Sequence, residues 1–414
     1  MIYDFASWLS DFSVSNWLWY AKRLSGNDTL ANGTHQAGPY VPKSVLFQVF
    51  PTLHNSEKEN PDFWFRISID SHGDERLARA IWYNNKLFGG TRNETRMTGF
   101  GGIDSALLDP ENTGALAIFA FRLDADSNDI ACRVWICRNP EEEEVAESHV
   151  GVIEPGKWIL HTFDGGGLER QADEQIARTD CWLSENEIPS SWMVEFPSGM
   201  EVIQKAIELR PEFSGYPPDK RLLKRRDCEF ELFRSLEQAI ELPRIRKPFT
   251  SIEQFLEIAQ SILQRRKSRS GRSLELHLRK IFLEEFLKEE ADFSYQPISE
   301  LGKQPDFIFP SARNYHDLAF PSENLRMLAV KTTCKDRWRQ VLNEADRIGK
   351  KHLLTVQQGI SLNQFREMRA HDVQLVVPAD IIKLYHKDIR SEIMTLEGFL
   401  SEVKTLEDNH PQNN

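Results

Sequence analysis

The chain has 414 residues, with 51 Lys and Arg against 63 Asp and Glu, so its formal charge is −12. At about 150 residues per domain this length predicts two or three domains. A content of 40% apolar and 28% charged residues excludes a chain disordered throughout. The opening stretch MIYDFASWLSDF carries Asp4 and Asp11 and no basic segment, which argues against a secretory signal. No apolar run approaches the roughly 18 residues of a membrane span, and a cytoplasmic protein is expected. The acidic total argues weakly against a general nucleic-acid coat, but net charge does not decide what a local patch binds.

In chain order, the first ~160 residues read as β-rich. FWFRISID (63–70) alternates, and ARAIWYN (78–84), ALAIFAFRL (115–123) and ACRVWICR (131–138) are short, apolar and bounded by turn residues. Short strands with frequent Gly, Asn and Asp between them predict a barrel or sandwich. Residues 141–144 are EEEE, and the stretch HTFDGGGLERQADEQ (161–175) loses periodicity around Gly165, Gly166 and Gly167. A triple glycine is a flexible tether, so the expected division is a domain over 1–165, a linker over 166–185 and a second domain over 186–414.

From ~190 onward the pattern turns helical. Ser198 with Glu201, and Thr250 with Glu253, have capping-box spacing. RRKSRSGRSLELHLRK (265–280) is strongly basic, and the residues leave two readings open. It is either a solvated helix end and turn or a surface that follows phosphates. SLELHLRKIFLEEFLKEE (273–290) sets Leu274, Leu278, Ile281, Phe282, Phe286 and Leu287 on one helical face. Strand candidates DFIFP (306–310), LRMLAVKTT (325–333), HLLTV (352–356) and VQLVVP (373–378) complete an α/β module. Cys132, Cys137, Cys181, Cys228 and Cys334 form no CxxC pair, so neither a zinc ribbon nor a disulfide framework is expected. All five are read as reduced, mostly buried thiols, with Cys132 and Cys137 on opposite strand faces.

The stretch from Pro305 to Ile348 carries the chemistry. Asp306 opens a short apolar strand, and Lys331 closes a longer one 25 residues later. A carboxylate and a lysine on neighbouring strand ends can hold Mg2+ and a water beside a phosphodiester. The acid offers hard oxygen to the metal; the lysine orients water and offsets the charge that builds at phosphorus. This is the logic of the PD-(D/E)xK nucleases, but the acid expected two residues before the lysine is Ala329. The helix expected next offers Glu344, at the edge of a stripe of Trp338, Val341, Leu342, Ala345 and Ile348. Spacing alone leaves a surface glutamate equally open. His316 has no second His at ligand spacing and reads as a solvated or core residue.

The segments KRLSGNDT (22–29), DPENTGALA (109–117), RRKSRSGRSLELHL (265–278), KTTCKDRWRQ (331–340) and SLNQFREMR (361–369) resemble the EcoRII family of restriction endonucleases, across both modules. That resemblance implies a multidomain α+β protein. Its N-terminal part would be a β-rich, B3-like pseudobarrel binding effector DNA, and its C-terminal part an α/β restriction-endonuclease-like domain. It implies Asp306, Tyr315, Lys331, Lys335 and Glu344 as the catalytic set, with Asp306 and Glu344 as Mg2+ ligands. The family moves the missing acid into the helix after the lysine, which suits Ala329 with Glu344. Glu275 occupies the family's upstream helical carboxylate position, where it either supports a second metal or, the reading preferred from the residues, pairs with the basic run.

By the same resemblance Lys335, Asp336 and Arg337 would read G·C pairs, because Arg suits guanine O6/N7 and an acid accepts from cytosine N4. His35, Tyr40, Arg92, Glu94 and Arg96 would grip effector DNA, while Gly90 and Thr95 stand where the family carries basic residues. The implied protein is a homodimeric type II (IIE-like) enzyme that cuts double-stranded DNA at CCWGG (W is A or T). Its N-terminal domain would restrain the nuclease, and a companion cytosine methyltransferase would share its host. Two alternatives stand beside it: a sequence-specific DNA-binding protein with an inactive nuclease domain, and an active nuclease with a related site.

Overall fold

A computed structural model of the protein describes residues 4–33, 38–123, 130–163, 179–300 and 302–409. His35 and the Gly165–Gly167 tether lie outside these residues. The chain forms two units. The first comprises Met1–Gln175, Gln357–Arg366 and Lys383–Arg390; the second comprises Ile176–Val356, Glu367–Ile382 and Ser391–Asn414. No helix among the described residues is long and apolar enough to cross a membrane.

In the first unit the named elements are α1 (Phe5–Phe12), β1 (Trp17–Arg23), α2 (Lys43–Val49), β2 (Asp62–Ile69), β3 (Asp74–Tyr83), β4 (Glu94–Thr98), β5 (Leu116–Arg122), β6 (Ile130–Ile136), α3 (Pro140–Val150) and β7 (Trp158–Thr162). The strands form one seven-stranded sheet in the order β4-β3-β2-β6-β5-β1-β7, antiparallel except for β2 with β6. Both faces are covered, and the period-two alternation of strands sorts side chains between them. Leu18 and Tyr20 of β1 join Phe119 and Phe121 of β5 in one core, while Trp17, Trp19 and Ala21 join Leu116, Ile118 and Trp135 in the other. Cys132 lies in the first core and Cys137 in the second, as their spacing predicts. The acidic run opens α3, where Asn139 caps the first turn and the carboxylates meet the positive end of the helix dipole. Glu143 and Glu147 then pair with Arg23 of β1, at 2.9 and 2.8 Å.

In the second unit they are α4 (Gly199–Leu209), α5 (Pro218–Ile245), α6 (Ile252–Glu284), β8 (Ser294–Tyr295), β9 (Phe307–Phe309), α7 (Ala312–His316), β10 (Arg326–Lys331), α8 (Trp338–Val341), β11 (Lys351–Thr355), β12 (Val373–Val376) and α9 (Leu396–Asn409). The five strands run β12-β11-β10-β9-β8; β10, β11 and β12 are parallel, and β9 is antiparallel to both neighbours. The Ser198–Glu201 capping box opens α4 as expected. At α6 the cap is Ser251, one residue later than predicted. The Gln254 side chain takes both the Thr250 N–H and its hydroxyl, so Thr250 is not available to cap.

Four expectations fail against the structure. The basic run is neither a helix end nor a turn, since α6 continues through Gly271. Its Arg265, Arg266 and Arg269 pair with Glu241, Glu237 and Glu229 of α5, each at 2.7–2.8 Å, as a ladder between helices. Leu274, Leu278, Ile281 and Phe282 are buried as predicted, but α6 ends at Glu284 and Phe286 is 89% exposed. The cysteines are not all reduced: Cys181 and Cys228 form a disulfide, whereas Cys132, Cys137 and Cys334 are buried free thiols. Cys181 and Leu183, within the expected 166–185 linker, are buried in the core of the second unit.

Candidate functional site

Antiparallel pairing of β9 with β10 sets Phe307 across from Leu328. One further step of that register puts Asp306 opposite Ala329, the position left without an acid. Asp306 is buried, and its Oδ2 accepts from the Val330 N–H at 2.6 Å and from the Lys331 ammonium at 3.3 Å. No described residue donates to its Oδ1. Lys331 closes β10, half-buried.

Glu344 also reaches this point, by a different route from the one predicted. The helix after Lys331 is only α8, which stops at Val341, and Glu344 sits in the turn that follows. Ala345 there has a left-handed backbone, φ 49°, which no continuing helix allows. Burial pushes the Glu344 carboxyl up from its ordinary value, and the Asp306 charge adds to this, while Lys331 and Lys351 oppose it. Its Oε2 is buried with no hydrogen-bond partner.

Glu275 of α6 belongs to the same cluster. Burial, then the Asp306 charge, push its carboxyl up; hydrogen bonds from Gln296 (2.9 Å) and Tyr295 (3.1 Å) and the Lys331 charge pull it down. The Tyr295 hydroxyl is in turn pushed up to about 12, by burial and by Glu275. Three carboxylates therefore share one lysine, a surplus of negative charge that a cation would offset. Among the described residues no three His, Cys, Asp or Glu side chains form a ready-made metal cage. The donor set fits a hydrated hard ion instead, since Mg2+ keeps several waters and takes one or two carboxylates.

Tyr315 is buried on α7. Its hydroxyl donates to Glu300 and accepts from the Arg347 N–H at 3.3 Å, so it is tied to the turn behind Glu344. Lys335, Asp336 and Arg337 form a turn between β10 and α8, with Asp336 and Arg337 exposed. His316 is exposed, with Nε2 2.9 Å from the Ile298 carbonyl. Sequence reasoning passed over Tyr295, Gln296, Glu300 and Lys351. Only Lys351, a charge opening an otherwise apolar strand, leaves a trace in the pattern.

In the first unit a cleft of about 770 Å³ is lined by Lys22, Tyr40, Glu94, Arg96 and Lys157. Buried Asp28 braces it: Oδ1 accepts from Lys22 Nζ (2.8 Å) and the Tyr40 N–H (2.7 Å), and Oδ2 from the Ser25 N–H (2.7 Å). Tyr40 is left 55% exposed. Arg92 is exposed, its N–H bonded to Asn85 at 2.7 Å, and Arg96 pairs with Glu94 at 3.1 Å. Thr95 faces inward on β4, its hydroxyl on the Val41 carbonyl at 3.3 Å. A Cβ on Gly90 would lie 2.7 Å from the Asn85 side chain. The space a longer residue would need at 90 is occupied by the group that holds Arg92.

Residues 13–164 match the family profile "Restriction endonuclease EcoRII, N-terminal", and residues 233–400 match "EcoRII C terminal". The type II restriction enzyme EcoRII of Escherichia coli is 43% identical over 409 residues, covering 97% of this chain and 98% of its own length. The chain belongs to the EcoRII family. As a member it is a type II restriction endonuclease, a DNA-binding nuclease with a β-rich N-terminal and a mixed α/β C-terminal domain. The type II restriction enzyme SsoII of Shigella sonnei is 23% identical over 218 residues, 47% of this chain and 70% of its own. Among solved structures, metal-depleted Ecl18kI with uncleaved, modified DNA covers 56% of this chain and 87% of its own, at 20% identity and a TM-score of 0.44. The B3 domain of UbaLAI with cognate DNA covers 38% and 95%, at 18% identity and a TM-score of 0.26. Type II restriction enzymes generally use a divalent metal.

Proposed function

We propose that the C-terminal domain hydrolyses double-stranded DNA at CCWGG with Mg2+, working as a homodimer. Asp306 and Glu344 would hold the ion, which supplies a Lewis acid for phosphate oxygen and water when bound. Lys331, held beside Asp306, offsets charge on the phosphate as it grows in the transition state. The Val330 N–H keeps one Asp306 oxygen aimed inward and leaves the other for a ligand. Lys335, Asp336 and Arg337 are the readers of the G·C pairs, with Arg337 toward guanine and Asp336 toward cytosine. Tyr40, Arg92, Glu94 and Arg96 line a second, effector DNA site, to which His35 also belongs. The N-terminal domain restrains the nuclease until that site is filled. A companion cytosine methyltransferase would protect the host's own CCWGG sequences.

The convergence of Asp306, Lys331 and Glu344 supports this reading most directly, because three residues far apart in sequence share one electrostatic environment. A plasmid digest with Mg2+ and sequenced ends tests it. The full-length protein should cut at CCWGG; Asp306→Ala and Lys331→Ala should lose cleavage and keep specific binding, because neither is a base contact. Ends at another sequence would favour a related site. Binding with no cleavage by the wild type would favour a DNA-binding protein with an inactive nuclease domain.

A further inference from the structure

We propose that Lys351 is the positioning residue of Glu344: it fixes the turn that presents this carboxylate to the metal. The proposal rests on reading Glu344 as a metal ligand.

The Glu344 side chain is not anchored at its tip, since Oε2 is buried and receives no hydrogen bond. Its direction is therefore set by the backbone. That backbone lies beyond the end of α8 and includes the left-handed Ala345; the Glu344 N–H reaches the Val341 carbonyl at 3.2 Å and the Ile348 N–H the Ala345 carbonyl at 2.9 Å, but no described backbone N–H donates to the Glu344 carbonyl. Lys351 supplies what is missing. It is 5% exposed, and its ammonium donates to the carbonyls of Glu344 (2.6 Å), Ala345 (2.8 Å) and Ile348 (2.7 Å). A lysine ammonium has three protons, and here one is directed to each carbonyl.

The N–H side of the same turn is pinned independently. Glu300 Oε1 accepts from the Asp346 N–H at 3.0 Å, and the Tyr315 hydroxyl accepts from the Arg347 N–H. Lys351 opens β11, which pairs with β10, the strand that ends in Lys331. The metal-facing acid is thereby referenced to the same sheet as the catalytic lysine. Burial depresses the Lys351 ammonium, as expected for a cation whose partners are mostly neutral carbonyls. Residues that orient a metal ligand without touching the metal change affinity for the ion by about 10–100-fold when replaced.

The test uses the full-length protein with Lys351→Met and Lys351→Arg. Mn2+ binding in the presence of a CCWGG duplex is followed by electron paramagnetic resonance, and the Mg2+ concentration for half-maximal cleavage is measured separately. Lys351→Met should weaken Mn2+ binding and raise the Mg2+ requirement by about tenfold or more, with metal-free duplex binding unchanged. Lys351→Arg should recover part of both. A folded Lys351→Met that binds Mn2+ and uses Mg2+ as the wild type does, with only its melting temperature lowered, overturns the proposal. If Lys351→Met does not fold, Lys351→Gln, whose amide offers two N–H groups in place of three, should shift Mn2+ binding in the same direction; wild-type Mn2+ binding there overturns the proposal equally. A wild type that neither binds Mn2+ nor cuts with Mg2+ would remove the nuclease reading and this proposal together.

Discussion

Arg337 stands exposed in the Lys335–Arg337 turn, six residues past the lysine that closes β10. A guanidinium on a short, exposed turn can present its planar fork to a guanine edge, which a lysine cannot match. Arg337→Ala should therefore cost about 1–3 kcal/mol of discrimination at one guanine. Competition between the CCWGG duplex and duplexes changed at single positions would show it. An equal loss against every duplex would mean that Arg337 holds phosphate and reads nothing. Tyr315 illustrates the opposite case. Its hydroxyl is committed to Glu300 and to the Arg347 N–H, so any effect on cleavage travels through the turn carrying Glu344. Thr95 is similar in the first unit: it faces the interior of the sheet, so the missing positive charge there would not simply have added to an open surface.

At the scale of elements, Phe282 and Phe286 separate packing from pattern. Both fit one helical face on paper, but Phe282 packs edge-on against Phe293, Phe307 and Phe309 at 5.1–5.5 Å, directly beneath β9. Phe282→Ala should cost about 3–5 kcal/mol, whereas Phe286→Ala should stay within about 0.5 kcal/mol, as urea unfolding midpoints would show. An equal cost at both positions would contradict the packing seen here. The paired outcomes also mark what periodicity could read. It found β2, β3, β5 and β6 of the first sheet, β9 to β12 of the second, the Ser198 cap and the buried stripe from Leu274 to Phe282, because these depend on local spacing; β1, β4, β7 and β8 escaped it. It missed the end of α6, the cap at Ser251 and the early stop of α8. Each of these is decided by a side chain or a left-handed residue that breaks the repeat. Asp306 and Lys331 were legible as strand-end residues. The route of Glu344 was not, because its support comes from Lys351, Glu300 and Tyr315, which no spacing connects to it. The Cys181–Cys228 pair, 47 residues apart, was hidden for the same reason.

At the scale of the whole molecule, a restrained nuclease should be released by removing what restrains it. A protein beginning at Ile176 keeps the Thr179–Glu231 bond and the Cys181–Cys228 disulfide, so the C-terminal unit retains its N-terminal packing. It should cut single-site DNA faster than the full-length protein. A short CCWGG duplex added in trans should speed the full-length enzyme and leave the shortened one unaffected. Such a response requires effector DNA to bind the released state better than the restrained one. If the shortened protein is no faster and the duplex does nothing at any concentration, the N-terminal domain serves only as a second DNA anchor.

The first unit also sets an order for its own biosynthesis. It includes Gln357–Arg366 and Lys383–Arg390, where the Gln358 carbonyl accepts the Gly26 N–H at 2.5 Å and the Tyr385 hydroxyl closes onto Gln357 at 2.8 Å. From Gln175 to Arg390 the chain advances 390 − 175 = 215 positions. A ribosome adding ~5–20 residues per second needs roughly 10–40 s to supply them. Until Gln358 emerges the Gly26 turn lacks its carbonyl partner, although β8 to β11 of the second sheet have by then been made. The first unit, begun first, is thus completed only after all five strands of the second sheet have been made, and α9 of the second unit follows last.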